Sequence, residues 1–195
     1  MNSIPLLLIF IYSGFTINLV LQCGLGIKGI VESKAPLNST TFIKLGLIFF
    51  SIIFLWFFFS RIIYSMISGI FVYVILFPVS ALVYEGLEFL ILRYIPKKDE
   101  EDESFISFPS GITAVSVFIC ICMAGSFIET VIMSFGFTSG IFIVNLIIRE
   151  IRRRAALEAV PVYMRGKPLI LVAMGMLSLI FTTASLLIFR MIGAG

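Results

Sequence analysis

The sequence predicts an all-α bundle of six transmembrane helices, forming a single integral membrane domain over residues 1–195. Three observations predict it. Of the 195 residues, 60% are hydrophobic and the mean hydropathy is +1.15, whereas a soluble domain is about 45–50% apolar. Only 14 Lys and Arg and 11 Asp and Glu are present, too few to solvate the surface of a core this apolar. The charges cluster in short segments between apolar runs whose lengths suit the roughly 20 residues of a spanning helix. The chain has no histidine. That excludes a Ser-His-Asp triad, histidine-ligated haem and imidazole-based zinc sites.

Residues 4–27 carry no charge and end at Lys28, which predicts the first span. This amino-terminal run lacks a basic flank and is too long for a signal-peptide core, so it is expected to be a retained span. Residues 45–60, with Trp56 to Phe59, lie between Lys44 and Arg61. The second span is expected to continue to about Met66, with Arg61 reaching for the interface. The third runs from about Ile70 to Leu92 and is closed by Arg93, ahead of the charged loop Lys97–Glu103. Residues 104–148 hold one charge, Glu129. They are too long for one span, and Gly125-Ser126 predicts a tight turn between spans four and five. Leu169 to Phe189 is the sixth. The domain divides into three-span halves, about 1–96 and 104–195.

The basic residues set the expected orientation. All of the 14 except Arg61 and Arg190 fall in loops 1–2, 3–4 and 5–6. The positive-inside rule then places those loops in the cytoplasm and both termini outside. The net charge of +3 is thus an orientation signal, with lipid as the neighbour and no nucleic acid implied.

Several residues stand out within this frame. Glu85 and Glu88 lie toward the cytoplasmic end of span three, where a carboxylate is costly. Glu88 either pairs near the interface with Arg93 or a loop lysine, or faces the bundle interior, an ion route or a partner helix. Gly24, Gly26 and Gly29 interrupt the end of span one, and Pro109 with Gly111 interrupt the start of span four. Breaks at corresponding points of two halves point to an inverted repeat, while glycine also serves simple close packing of helices. Cys23, Cys120 and Cys122 all fall in predicted spans and read as small buried apolar residues. Cys120 and Cys122, two apart on a helix, point in different directions. After span five, Arg152, Arg153 and Arg154 form a basic turn, Pro161 stops the structure, and Arg165-Gly166-Lys167-Pro168 makes a second turn. This loop is either an anchor for lipid phosphates or a docking surface for an acidic cytoplasmic subunit.

At this loop the chain resembles the A subunit of the Rnf-type electron transport complex and its relative, the E subunit of the sodium-translocating NADH:quinone reductase. The likeness rests on Ile151-Arg152-Arg153-Arg154, Val160-Pro161, Arg165-Gly166 and Gly175-Met176-Leu177-Ser178-Leu179, without a gap. Leu87-Glu88, Arg93 and Pro96 fit a second motif, and Asn18-Leu19-Val20-Leu21 fits the Asn-x-x-Leu of the family's first helix. The resemblance implies two inverted three-helix repeats with broken first and fourth helices. It makes Glu88 and Asn18 candidates for an ion path or helix packing, and Arg152, Arg153, Arg154 and Arg165 candidates for cytoplasmic docking. It implies partners as well: other membrane subunits, including a homologous subunit of opposite topology, and cytoplasmic redox subunits.

In the family, spans one and four each supply a cysteine to a [2Fe–2S] cluster shared with that homologous subunit. Here the two positions are Lys28 and Val115 or Ser116. An ammonium has no lone pair to offer iron. Either the cluster has been lost, or Cys23 and Cys120 act as ligands displaced by about five residues, roughly 7.5 Å along a helix. The resemblance therefore implies a non-catalytic integral subunit of a translocase coupling electron transfer to Na⁺ or H⁺ transport. The alternatives are the membrane component of an inverted-repeat small-molecule transporter, or a redox-inactive assembly scaffold.

Overall fold

Helix, and no strand, makes up the regular structure in the computed structural model, which describes residues 3–25, 39–63, 71–94, 109–157, 161, 164 and 166–193. Helix α1 spans Ser3–Ile11 and continues as a π-helical turn over Tyr12–Thr16. Helix α2, Ser39–Phe58, ends in a second π-helical turn, Phe59–Ile63. The others are α3 (Phe71–Tyr94), α4 (Pro109–Met123), α5 (Phe127–Leu157) and α6 (Lys167–Gly193). The chain has the helices of a membrane protein: α2, α3, α5 and α6 are long and apolar enough to cross a bilayer.

Two of the six expected spans differ from the prediction. The run 4–27 is uncharged, yet its helix stops at Thr16. The expected fourth span forms a helix of 15 residues, Pro109–Met123, about 22 Å at 1.5 Å per residue. Both are apolar but shorter than the ~30 Å hydrocarbon core. The turn between spans four and five falls where expected, at Ala124–Ser126. Ser126 caps α5 by accepting a hydrogen bond from the Glu129 amide at 3.3 Å. Glu129 reaches back to accept from the Gly125 amide at 2.8 Å. This is a capping box displaced by one residue, and it accounts for the lone charge of residues 104–148. Arg61, in the π-helical turn of α2, is exposed as expected.

The helices pack in a crossed pattern. α2 and α5 lie against each other at the centre, α3 packs on α2, and α6 packs on α5. α1 with its π-helical turn packs on α5 and α6, in the other half of the chain. α4 packs on α2 and α3, and also touches α5. Ring pairs and hydrogen bonds fix the directions. Phe42 meets Phe142, Ser134 Oγ donates to the Phe49 carbonyl, and Trp56 meets Phe127, so α2 and α5 are antiparallel. Phe10 meets Phe135 and Asn18 lies beside Gly140, so α1 runs parallel to α5. Ile48, Ile52, Leu55, Leu76, Phe137 and Val144 are among the fully enclosed side chains of this core. The outward faces of α3 and α6 are apolar, with Leu82, Phe89, Leu179 and Met191 exposed.

Candidate functional site

Asn18 is buried at the point where α1 gives way to irregular chain. Its Nδ2 donates to the Gly14 carbonyl at 3.0 Å. Its Oδ1 accepts from the amides of Val20 and Leu21, both at 3.2 Å. The first bond satisfies a carbonyl left open when a helix ends, and the other two cap a single new turn, closed by Gln22 N to Asn18 O at 2.8 Å. Gly24, at φ +68°, then takes the left-handed conformation that favours glycine. The chain folds back so that the Leu25 amide reaches the Leu19 carbonyl at 3.1 Å. Asn18 thus binds both sides of the break, and one amide side chain explains why the apolar run is interrupted.

The broken helix is also held by contact with α5. A Cβ on Gly140 would lie 2.5 Å from the Gly14 carbonyl oxygen and 3.0 Å from Asn18 Nδ2. A Cβ on Gly136 would collide with Ser13 Oγ. Gly136 and Gly140 form a Gly-x-x-x-Gly notch, the sequence device by which membrane helices approach closely. It was readable in the sequence and missing from the predicted site. α6 holds both sides of the break: Phe15, before it, stacks on Phe181, and Gln22, after it, donates from Nε2 to Thr182 Oγ1 at 2.7 Å.

Glu88 stands apart from this junction. It forms an ion pair with Lys44 of α2 at 3.5 Å, both side chains about one-fifth exposed. Tyr84, one turn earlier on α3, is fully enclosed, and its hydroxyl has no hydrogen-bond partner among the described residues. Ser51 of α2 is buried in the same state.

The thiols are free and scattered in exposure: Cys23 and Cys122 are exposed and Cys120 is buried in the core. Among the described residues, no three of Cys, His, Asp and Glu come together as a metal site. At the two alternative span-four positions, Val115 is half-buried and Ser116 is buried, its Oγ donating to the Ile112 carbonyl at 2.7 Å. Lys28, the span-one position, lies outside the described residues. Cys120 is enclosed in the packed interior. Neither Val115 nor Ser116 can supply the thiolate that a [2Fe–2S] cluster takes, so the span-four position does not fit that group.

The basic turn is the end of α5. Arg152 is half-buried, Arg153 and Arg154 are exposed, and Arg154 pairs with Glu150 one turn back at 3.0 Å. Such an exposed i,i+4 pair contributes little. The 31 residues of α5 extend about 46 Å, longer than a ~30 Å hydrocarbon core. Arg165 lies outside the described residues. No family model matches the chain, and no match is found among curated proteins.

Proposed function

We propose that the chain is an integral membrane subunit of an ion-translocating electron transport complex of the Rnf/NADH:quinone reductase kind, built as two inverted three-helix repeats. The observation that carries the reading is the crossed pairing. Exchanging α1-α2-α3 with α4-α5-α6 maps α2–α5 onto itself, α2–α3 onto α5–α6, α1–α5 onto α4–α2, and α1–α6 onto α4–α3. Only the α4–α5 contact lacks a counterpart among the principal pairings. A twofold axis in the membrane plane produces such a pattern, and it makes α2 and α5 antiparallel. The short α1 and α4 occupy equivalent places. The motifs around Asn18, Glu88, Arg152–Arg154 and Gly175–Leu179 add the sequence resemblance.

In this reading the halves are 1–96 and 104–195. Loops 1–2, 3–4 and 5–6 and the basic end of α5 face the cytoplasm of a prokaryotic cell, where Arg152, Arg153, Arg154 and Arg165 meet acidic surfaces of electron-input subunits. Reduced cofactors and flavins belong to those partners. This chain supplies the helical frame, with Asn18 and the Gly136–Gly140 notch holding the broken helix and the Lys44–Glu88 pair joining α2 to α3. The test is reconstitution of the purified complex in vesicles. NADH- or ferredoxin-driven Na⁺ or H⁺ uptake is expected with the subunit present and lost without it. Uptake that survives its deletion refutes the reading.

A second reading, a redox-inactive transporter component or assembly scaffold, is favoured by the donor set. Dithionite-reduced samples of the chain with its homologous partner distinguish the two. A reduced-cluster EPR signal at full subunit occupancy, lost on replacing Cys23, excludes the redox-inactive reading.

A further inference from the structure

The outward face of α3 carries a carboxylate that has no partner among the described residues. Of the segment Val74–Ile91 only 17% is buried, against 56% for Phe127–Ala155 of α5. Val74, Phe77, Leu82 and Phe89 are exposed along it. Glu85 is exposed in their midst. Beside it, Gly86 has no atom within 4 Å of where a Cβ would stand. Among the described residues nothing forms an ion pair or hydrogen bond with Glu85. Its neighbour Glu88 is different, since it turns to Lys44.

Depth makes this informative. The middle of the helix Phe71–Tyr94 falls between Leu82 and Val83, so Glu85 is less than one turn, about 4 Å, from it. A carboxylate at that depth facing lipid is strongly disfavoured, and ionisable residues in spans turn to a partner or an aqueous cavity. An ionised carboxylate only accepts hydrogen bonds. The face Val74–Ile91 holds no Lys or Arg, so a second copy packed on it about a twofold axis would bring carboxylates together without a cation to answer them. Lipid alone would meet the rings and leave the charge unanswered.

We infer that this face of α3 is the docking surface for a transmembrane helix of a different subunit, which presents an Arg or Lys at the depth of Glu85 and packs into the open notch at Gly86. The inference needs only a membrane-embedded chain and holds whether or not the complex transfers electrons.

Benzoylphenylalanine placed at Leu82 or Phe89 of the full-length chain, irradiated in native membranes with its natural neighbours present, tests it. Leu179 and Leu186 on the outer face of α6 serve as comparison positions. Both α3 positions are expected to give an adduct with one other polypeptide, whose crosslinked peptide is an apolar helix containing Arg or Lys. Glu85→Leu is expected to lower the adduct about tenfold while the chain's abundance and thermal midpoint hold. Glu85→Lys, combined with an acidic residue at the partner's basic position, is expected to restore it. Adducts with lipid alone, adducts with a second copy of this chain, or an unchanged yield from Glu85→Leu would each overturn the inference. If Glu85→Leu lowers abundance, the charge exchange decides: failure to restore the adduct counts against it.

Discussion

Asn18 is enclosed in an apolar interior and uses both ends of its amide to hold a break in the chain. Replacing it with Leu leaves the Gly14 carbonyl and the Val20 and Leu21 amides without that partner, and each buried unsatisfied group costs about 1–3 kcal/mol. Asn18→Leu should therefore lower the thermal midpoint of the detergent-solubilised protein sharply. Asn18→Asp keeps the acceptor and should fall between the two. Lys44 and Glu88 give a second test through a double-mutant cycle. Lys44→Met strands a carboxylate in a half-buried place, so it should destabilise more than Lys44→Met combined with Glu88→Leu. Chemical denaturation in one detergent would show the sign. The single mutant proving no worse would mean the ion pair is solvated. Asn18 was visible in the sequence as part of a motif, but its role was not. Capping depends on where the helix stops, and an uncharged run of 4–27 carries no mark of that. Glu129 illustrates the converse, because its place three residues after Ser126 is the spacing of a capping box.

At the scale of the element, the contact between α1 and α5 depends on the absence of side chains. Gly140→Ala would drive a methyl against the Gly14 carbonyl and the Asn18 amide. Overpacking of this kind costs about 1–3 kcal/mol. Gly175→Ala on α6 meets nothing within 4 Å and should leave stability unchanged or raise it by up to about 1 kcal/mol through helix propensity. Thermal unfolding of the two alanine variants side by side measures the difference. The thiols offer a test by element: Cys23 and Cys122 should react with maleimide in the folded, solubilised protein, and Cys120 only after denaturation. Length was the property the sequence left open here. Charge marks where a span must end at water, so α3 and α6 were legible to within a few residues, whereas α2 runs back through Lys44, paired with Glu88, to Ser39. α1 and α4 end against hydrogen-bond caps and Gly-Ser turns inside apolar sequence, where a hydropathy window registers no boundary. Gly136 and Gly140 carried a legible signal for close packing, but not the identity of the helix that fills the notch.

At the scale of the whole molecule, the crossed pairing ties each half to the other. Neither half is a self-sufficient bundle, because α1 packs on α5 and α6 while α4 packs on α2 and α3. Cysteines at Phe42 and Phe142, whose rings lie 5.5 Å apart, should therefore crosslink readily in a chain lacking its native thiols. A pair at Phe42 and Phe127 should not, since Phe127 lies at the Trp56 end of the antiparallel pair. Equal yields from both pairs would contradict the antiparallel register. The sorting of charge onto one set of loops was legible from composition and spacing. The interleaving of the halves was not, because it rests on contacts between residues more than a hundred positions apart, such as Phe10 with Phe135 and Gln22 with Thr182.

The shortness of α1 has an electrical consequence. From Ser3 to Thr16 the helix covers about 21 Å, while the hydrocarbon it stands in measures ~30 Å. Beyond Thr16 the chain is irregular peptide, buried at Asn18 to Val20 and exposed from Gln22 to Gly24. A transmembrane voltage falls mainly across the least polarisable layer, so water reaching the exposed residues of a membrane-embedded chain would thin that layer along this path. A cation crossing it would still do work of about 2.3 kcal/mol per 100 mV, but over less than the ~30 Å of hydrocarbon, against a correspondingly steeper field.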